Sequence, residues 1–367
     1  MVRTQLKGIP VTQDSENEAV FKDDITAMET VLTENPEQST PAQDQASCED
    51  EIIEEVDAIT ESIFYNAKSI TSINNIVCQL HKDNKNFISE ITKEATKHIF
   101  EEIIEPRLKE KYKVIFLYSK MDIVRAHASR IHSCLYSDKL KSRRKDILLF
   151  LKSKGGELET AYLISKMCGK VKGKKFVVAI PAEAKSAATL LSLGADEIHM
   201  GPLSELGPID PQIDGYPALA FASAIEKLAK IAVAHPGSEK IFSEYLAQSK
   251  LNLINLGHYE RKTASASQYA TRLLKQRTRL SEETYKGQMS DEDIATHFTT
   301  HFKDHNFVID ADESITILGK NSIKVETDEY YASHRINYFV ESLQMSLNVS
   351  VDVNLSIAII GDKLIIA

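Results

Sequence analysis

The stretch DILLFLKSKGGELETAYLISKMCGKVKGKKFVVAIP, residues 146–181, decides how the rest of the chain is read. It opens on DILLFLKS (146–153), whose unbroken apolar run, 147–151, is short and bounded and reads as a buried strand. Gly155 and Gly156 come next and let the backbone turn sharply. Residues 156–170 carry apolar side chains at helical spacing, and 175–181 is a second apolar run. Strand, helix and strand within roughly 35 residues make a right-handed unit with parallel strands.

The pattern extends in both directions. Upstream, KVIFLYS (113–119) reads as a strand and 123–137 has helical period. Downstream, SAATLLSLGA (186–195) is a short helix with Gly194 as its C-terminal stop, and DEIHM (196–200) is a fourth strand. The repetition predicts an α/β fold with a largely parallel sheet. Helices are expected at 217–235, 239–250, 262–286 and 290–305, the last opening on Ser290 and Asp293 in a capping arrangement. The C-terminus alternates and turns at Gly361-Asp362, which predicts a β-hairpin.

Residues 1–50 are polar, acidic and punctuated by proline, and are expected to be disordered. Residues 51–110 form a helical N-terminal extension ending near Pro106, either an interaction arm or a cap on the main domain. The expected layout is 1–50 tail, 51–110 extension, 111–330 main domain, and 331–367 C-terminal helix and hairpin. The net charge of −9 sits in the tail: residues 11–57 hold fifteen acidic residues and one basic, a balance of −14, which leaves about +5 for the rest. No basic stripe with interleaved aromatics speaks for nucleic acid. The four cysteines, Cys48, Cys78, Cys134 and Cys168, are far apart and suggest neither a zinc site nor a disulfide framework. A cytoplasmic location, without a membrane span, cofactor or metal, is the expectation.

Four features are candidates for chemistry, and each has a plain structural alternative. The Gly155-Gly156 turn can expose N–H groups to an oxyanion, or be an ordinary strand-to-helix turn. Ser186, in AEAKSAATL, can be a nucleophile with room left by Ala187, Ala188 and Thr189, or it can cap its helix. Asp210, within GPLSELGPIDPQI (201–213), can orient a histidine, or be an aspartate in a proline turn. His297, His301 and His305 recur every four residues on one helical face, where they can bind a metal, supply a general base or be an ordinary histidine face.

Taken in chain order, the KGGELE turn, AKSAATL, SELGPIDPQI and FKDHNFVIDADE resemble the serine dehydrogenase proteinase family, which is similar to Clp proteases and to the crotonase superfamily. The resemblance covers roughly residues 112–330. It implies a Clp/crotonase-like fold of repeated ββα or βαβ units, and a serine peptidase acting on a peptide or protein. Carried over, Ser186 is the nucleophile, Asp210 the acid and His305 the base, with His301 or Lys227 as fallback base, and Gly155, Gly156 and Ala187 form the oxyanion hole. Lys154, where relatives have a small residue, and Lys185, beside Ser186, depart from the pattern or invite a lysine-base reading. The resemblance also implies a homo-oligomer, with the N-terminal extension as a place for a regulatory partner. A crotonase-type thioester enzyme and an inactive Clp-fold module are the other readings.

Overall fold

In the computed structural model the described residues are 87–137, 145–210, 212–213, 216–248, 253–277, 289–302, 304–351 and 355–366. The expected tail 1–50, the first part of the extension and the segment 278–288 lie outside them.

Five parallel strands run side by side in chain order: β1 (Tyr112–Tyr118), β2 (Asp146–Lys152), β3 (Phe176–Ala179), β5 (Glu197–Met200) and β9 (Ile323–Val325). Between them lie α3 (Arg125–Tyr136), α4 (Leu158–Val171) and α5 (Ala187–Ser192). The unbroken apolar run of β2 has a direct cause. Ile147, Leu149 and Leu151 enter one core, and Leu148 and Phe150 enter another on the opposite face. A parallel strand covered on both faces loses the polar alternation of a half-exposed one.

The first core is closed by α3, α4, α5 and α8 (Leu253–Leu274), through residues such as Ile131, Ile164, Leu190 and Leu273. The second is closed by α1 (Phe87–Lys97), the π-helical turn His98–Ile103, α2 (Pro106–Lys111) and α11 (Asp328–Val351). Ile91, Ala95, Ile99 and Ile103 are fully or almost fully buried there, so residues 87–111 act as a cap on the sheet. The helical run ends at Ile103, with Ile104 extended, and Pro106 then opens the short α2, where its missing N–H costs nothing. The C-terminal hairpin, β10 (Ile357–Gly361) and β11 (Lys363–Ile366), forms as expected and joins the sheet antiparallel to β1, with Phe116 opposite Gly361. α6 (Ala218–Ala234) and α7 (Glu239–Gln248) also form.

Two expectations need correction. Gly194 is not a left-handed helix stop, since it is not among the glycines of positive φ. It is demanded by space: a Cβ there would lie 2.1 Å from Ser165 Oγ. The helix expected over 290–305 ends early. α9 (Asp291–Thr296), with the Ser290–Asp293 capping box, passes into a π turn over His297–His301, and Phe302 is extended. His305 therefore sits in a turn beyond the helix, off the face shared by His297 and His301. Among the described residues no helix is long and apolar enough to cross a membrane.

Candidate active site

The loops that leave the C-terminal ends of the parallel strands pair with one another. After β2, Ser153 bridges Ala184 of β4 (Glu183–Ala184). β4 in turn pairs with β6 (Glu205–Leu206), and Leu206 bridges Ile309. On the other side of the same turn, Ile123 bridges Gly156. This short second layer draws residues from 123 to 309 to one edge of the main sheet, the edge at which open α/β sheets place their sites.

Ser186 stands at the corner between β4 and α5, with φ 53° and ψ −115°. A positive φ is uncommon for a residue with a Cβ and is strained. Its hydroxyl makes no capping hydrogen bond, so the helix-cap alternative does not hold. The residue is half-buried, while Ala187, Ala188 and Thr189 behind it are fully buried. Thr189 is more than a small spacer. Its Oγ1 lies 2.7 Å from the Ala184 carbonyl and 2.8 Å from that of Gly207, and it accepts the Gly207 N–H at 3.0 Å. It thus ties the Ser186 corner to the loop that carries Asp210.

The glycine turn presses against this corner. Gly155 and Gly156 have φ of 120° and 136°. A Cβ on Gly155 would lie 2.9 Å from the Cβ of Ser186 and 3.3 Å from the Ala187 nitrogen. The two glycines differ in what they offer. Gly155 is buried and its N–H donates to Ser153 Oγ at 3.1 Å, whereas Gly156, the next residue of the turn, is exposed. Ala187, the first residue of α5, has no intrahelical acceptor for its N–H.

Asp210 and His305 are brought near one another. The Ile209 N–H donates to the Phe298 carbonyl at 2.8 Å, and Leu206 exchanges two backbone hydrogen bonds with Ile309. These stitches place Asp210 Oδ2 3.9 Å from His305 Nδ1. Burial and then the nearby Lys185 cation hold the His305 imidazole below the usual histidine range. No hydrogen bond joins Ser186 to His305 as the structure stands.

The other candidates are placed elsewhere. His301 is exposed and stacked on His297 at 4.1 Å, with Phe302 edge-on to both. Lys227 is exposed on α6. Lys185 Nζ lies 3.2 Å from Glu205 Oε1 and 3.3 Å from the Asn306 carbonyl, so its ammonium is engaged by those groups. Lys154 is exposed at the head of the glycine turn. The buried hydroxyls of Ser153 and Thr189 carry no such signal in the sequence, where nothing separates them from ordinary core serines and threonines.

With this geometry in place, comparison with known proteins shows what the central segment is similar to. Residues 132–236 match the model of the ClpP-like SDH-type serine proteinases. That is a match to the family that the motifs of this segment resemble. The segment holds the glycine turn, Ser186 and Asp210 but ends before His305. Among curated proteins the chain is similar to Uncharacterized protein MJ0137 of Methanocaldococcus jannaschii, with 37% identity over 83 residues, which are 23% of this chain and 29% of that protein. It is also similar to Uncharacterized protein MJ1495 of the same organism, with 46% identity over 50 residues, 14% of this chain and 17% of that protein. The alignments thus span under a third of the length of either relative. Among solved structures, a serine-to-alanine mutant of the 1510-N membrane-bound stomatin-specific protease aligns over 63% of this chain and 84% of its own, with a TM-score of 0.35 and 14% identity. A lysine-to-alanine mutant of that protease in complex with a substrate peptide aligns over 59% and 78%, with a TM-score of 0.33 and 14% identity.

Proposed function

We propose that the protein is a serine peptidase in which Ser186 attacks a peptide carbonyl, His305 takes the serine proton and Asp210 orients the imidazole. The observation that carries this reading is the Ser186 corner: a strained serine with an uncommitted hydroxyl, packed against a glycine turn and tied through Thr189 and Lys185 to the loops that carry Asp210 and His305. His305 Nδ1 faces Asp210, which leaves Nε2 for the serine. The depressed imidazole is neutral near pH 7, the state a general base requires. For the base to act, Ser186 and His305 must close to hydrogen-bonding distance, and such contacts commonly tighten only when substrate binds.

The Gly156 and Ala187 N–H groups are the donors for the oxyanion, because the Gly155 N–H is already taken by Ser153. Losing one such donor costs about 2.7–4 kcal/mol of barrier. The substrate is a peptide or protein. Assembly into a homo-oligomer, a regulatory partner at the N-terminal extension and a cytoplasmic location remain part of the proposal, on the resemblance and the dispersed cysteines alone.

The test is labelling with a fluorophosphonate probe. Wild type is expected to label at Ser186, and Ser186→Ala to lose both labelling and peptide hydrolysis with an unchanged thermal melt. Hydrolysis by Ser186→Ala would overturn the assignment. Turnover of a CoA thioester by that variant would favour the crotonase-type reading instead.

A further inference from the structure

Ser153 takes no part in the proposed triad, yet it touches both loops that build the site. It lies directly after β2 and is 1% exposed. The residue before it, Lys152, turns its side chain to the opposite face of the sheet, where Nζ meets Asn337 Oδ1 at 2.9 Å and also pairs with Glu341 on α11. Strand alternation then directs Ser153 toward the site. Its N–H donates to the Glu183 carbonyl at 3.0 Å, and its carbonyl accepts the Lys185 N–H at 3.0 Å. Its Oγ accepts the Gly155 N–H at 3.1 Å. One residue thus holds the segment leading into Ser186 with its backbone and the glycine turn with its hydroxyl.

Two successive glycines of positive φ have several turn geometries open to them, and each peptide plane needs its own restraint. The plane between Gly155 and Gly156 is fixed by the Gly155 carbonyl, which accepts the Ile123 N–H at 2.7 Å. In a trans peptide the N–H points opposite to the carbonyl, so the Gly156 N–H faces away from Ile123. The preceding plane, between Lys154 and Gly155, has the Ser153 hydroxyl on its N–H. Without that acceptor this plane is free to rotate, and the turn loses the orientation that presents Gly156.

We propose that Ser153 is a positioning residue of the oxyanion site, and that its hydroxyl, by holding the Gly155 N–H, fixes the turn so that the Gly156 N–H is the one offered beside Ser186. The inference rests on the serine-peptidase reading and adds a residue to it.

The test is the rate of fluorophosphonate labelling of full-length protein, resolved into the limiting rate and the probe concentration at half-saturation, and expressed per folded molecule from a thermal melt. Ser153→Ala removes the acceptor, and Ser153→Cys keeps the volume with a weak acceptor. Both are expected to lower the limiting rate by about tenfold or more, with little change in the half-saturating concentration. Ser153→Thr retains the hydroxyl and is expected to stay near wild type. Wild-type labelling at Ser186 with an undiminished limiting rate in Ser153→Ala or Ser153→Cys would overturn the role of Ser153 alone. So would a Ser153→Thr variant as slow as Ser153→Ala. Wild type that never labels, or Ser186→Ala that labels equally, would instead overturn the peptidase reading on which the inference rests.

Discussion

Asp210 Oδ2 lies 3.9 Å from His305 Nδ1, with ninety-four residues of chain between them. The gap is longer than a hydrogen bond, so in the proposed mechanism the carboxylate orients the imidazole once the contact tightens. Asp210→Asn removes the charge and presents an amide to the same nitrogen. The expected result is a fall in kcat of roughly 10²–10⁴-fold with KM little changed, measured by peptide hydrolysis. An unchanged kcat would remove Asp210 from the mechanism.

The pH profile depends on His305. Burial, and then the Lys185 cation, hold its pKa below the ordinary histidine value of about 6.5. In the proposed mechanism the neutral form is the active one, so the acid limb of kcat/KM is expected at a pH below that value. Lys185→Gln withdraws the cation, and the limb should then move up in pH and activity near pH 6 should drop. Stability changes with pH in the same direction. A histidine depressed in the folded state favours folding above its unfolded pKa, and that contribution is lost as pH falls through the folded pKa. A limb that does not move in Lys185→Gln would show that Lys185 does not set it.

Thr189 gives a prediction about stability. Its Oγ1 accepts the Gly207 N–H at 3.0 Å and lies within hydrogen-bonding reach of two carbonyls. Thr189→Val keeps the shape and leaves that buried N–H without an acceptor, at a cost of about 1–3 kcal/mol. The melting temperature should fall, and Thr189→Ser should recover most of the loss. Equal melts for the valine and serine variants would mean that methyl packing, not the hydroxyl, matters at this position.

What the sequence made legible divides along a physical line. The parallel sheet was readable because both faces of β2 are covered, which writes an unbroken apolar run into 147–151. Ser186 and Asp210 stood out as candidates because a glycine turn and a proline-rich loop mark them. The helix ending before His305 was not. The four-residue histidine spacing continues on paper, while in the fold Phe302 turns extended and its ring packs 4.8 Å from that of Phe307. The hydroxyls of Ser153 and Thr189 were also silent, because their partners at Glu183, Lys185 and Gly207 arrive only when separate strand ends are brought to one edge.

Gly194 separates two reasons for a glycine near a helix end. As a left-handed stop it would be needed for its φ, and no neighbour could relieve a substitution. The structure instead places the Ser165 Oγ where a Cβ would stand, 2.1 Å away, with that oxygen anchored on the Leu191 carbonyl at 2.8 Å. Gly194→Ala is therefore expected to destabilise by overpacking, by about 1–3 kcal/mol. Ser165→Ala removes the obstructing oxygen, after which the nearest part of residue 165 is its Cβ at 3.4 Å, an ordinary contact. The double variant should then lose less than the sum of the two single losses, with a coupling of about 0.5–3 kcal/mol in a denaturant-melt cycle. Strict additivity would show that the Ser165 hydroxyl is not what a side chain at Gly194 would meet. Neither residue contacts Ser186 in this arrangement, so labelling per folded molecule should stay at the wild-type rate throughout the cycle.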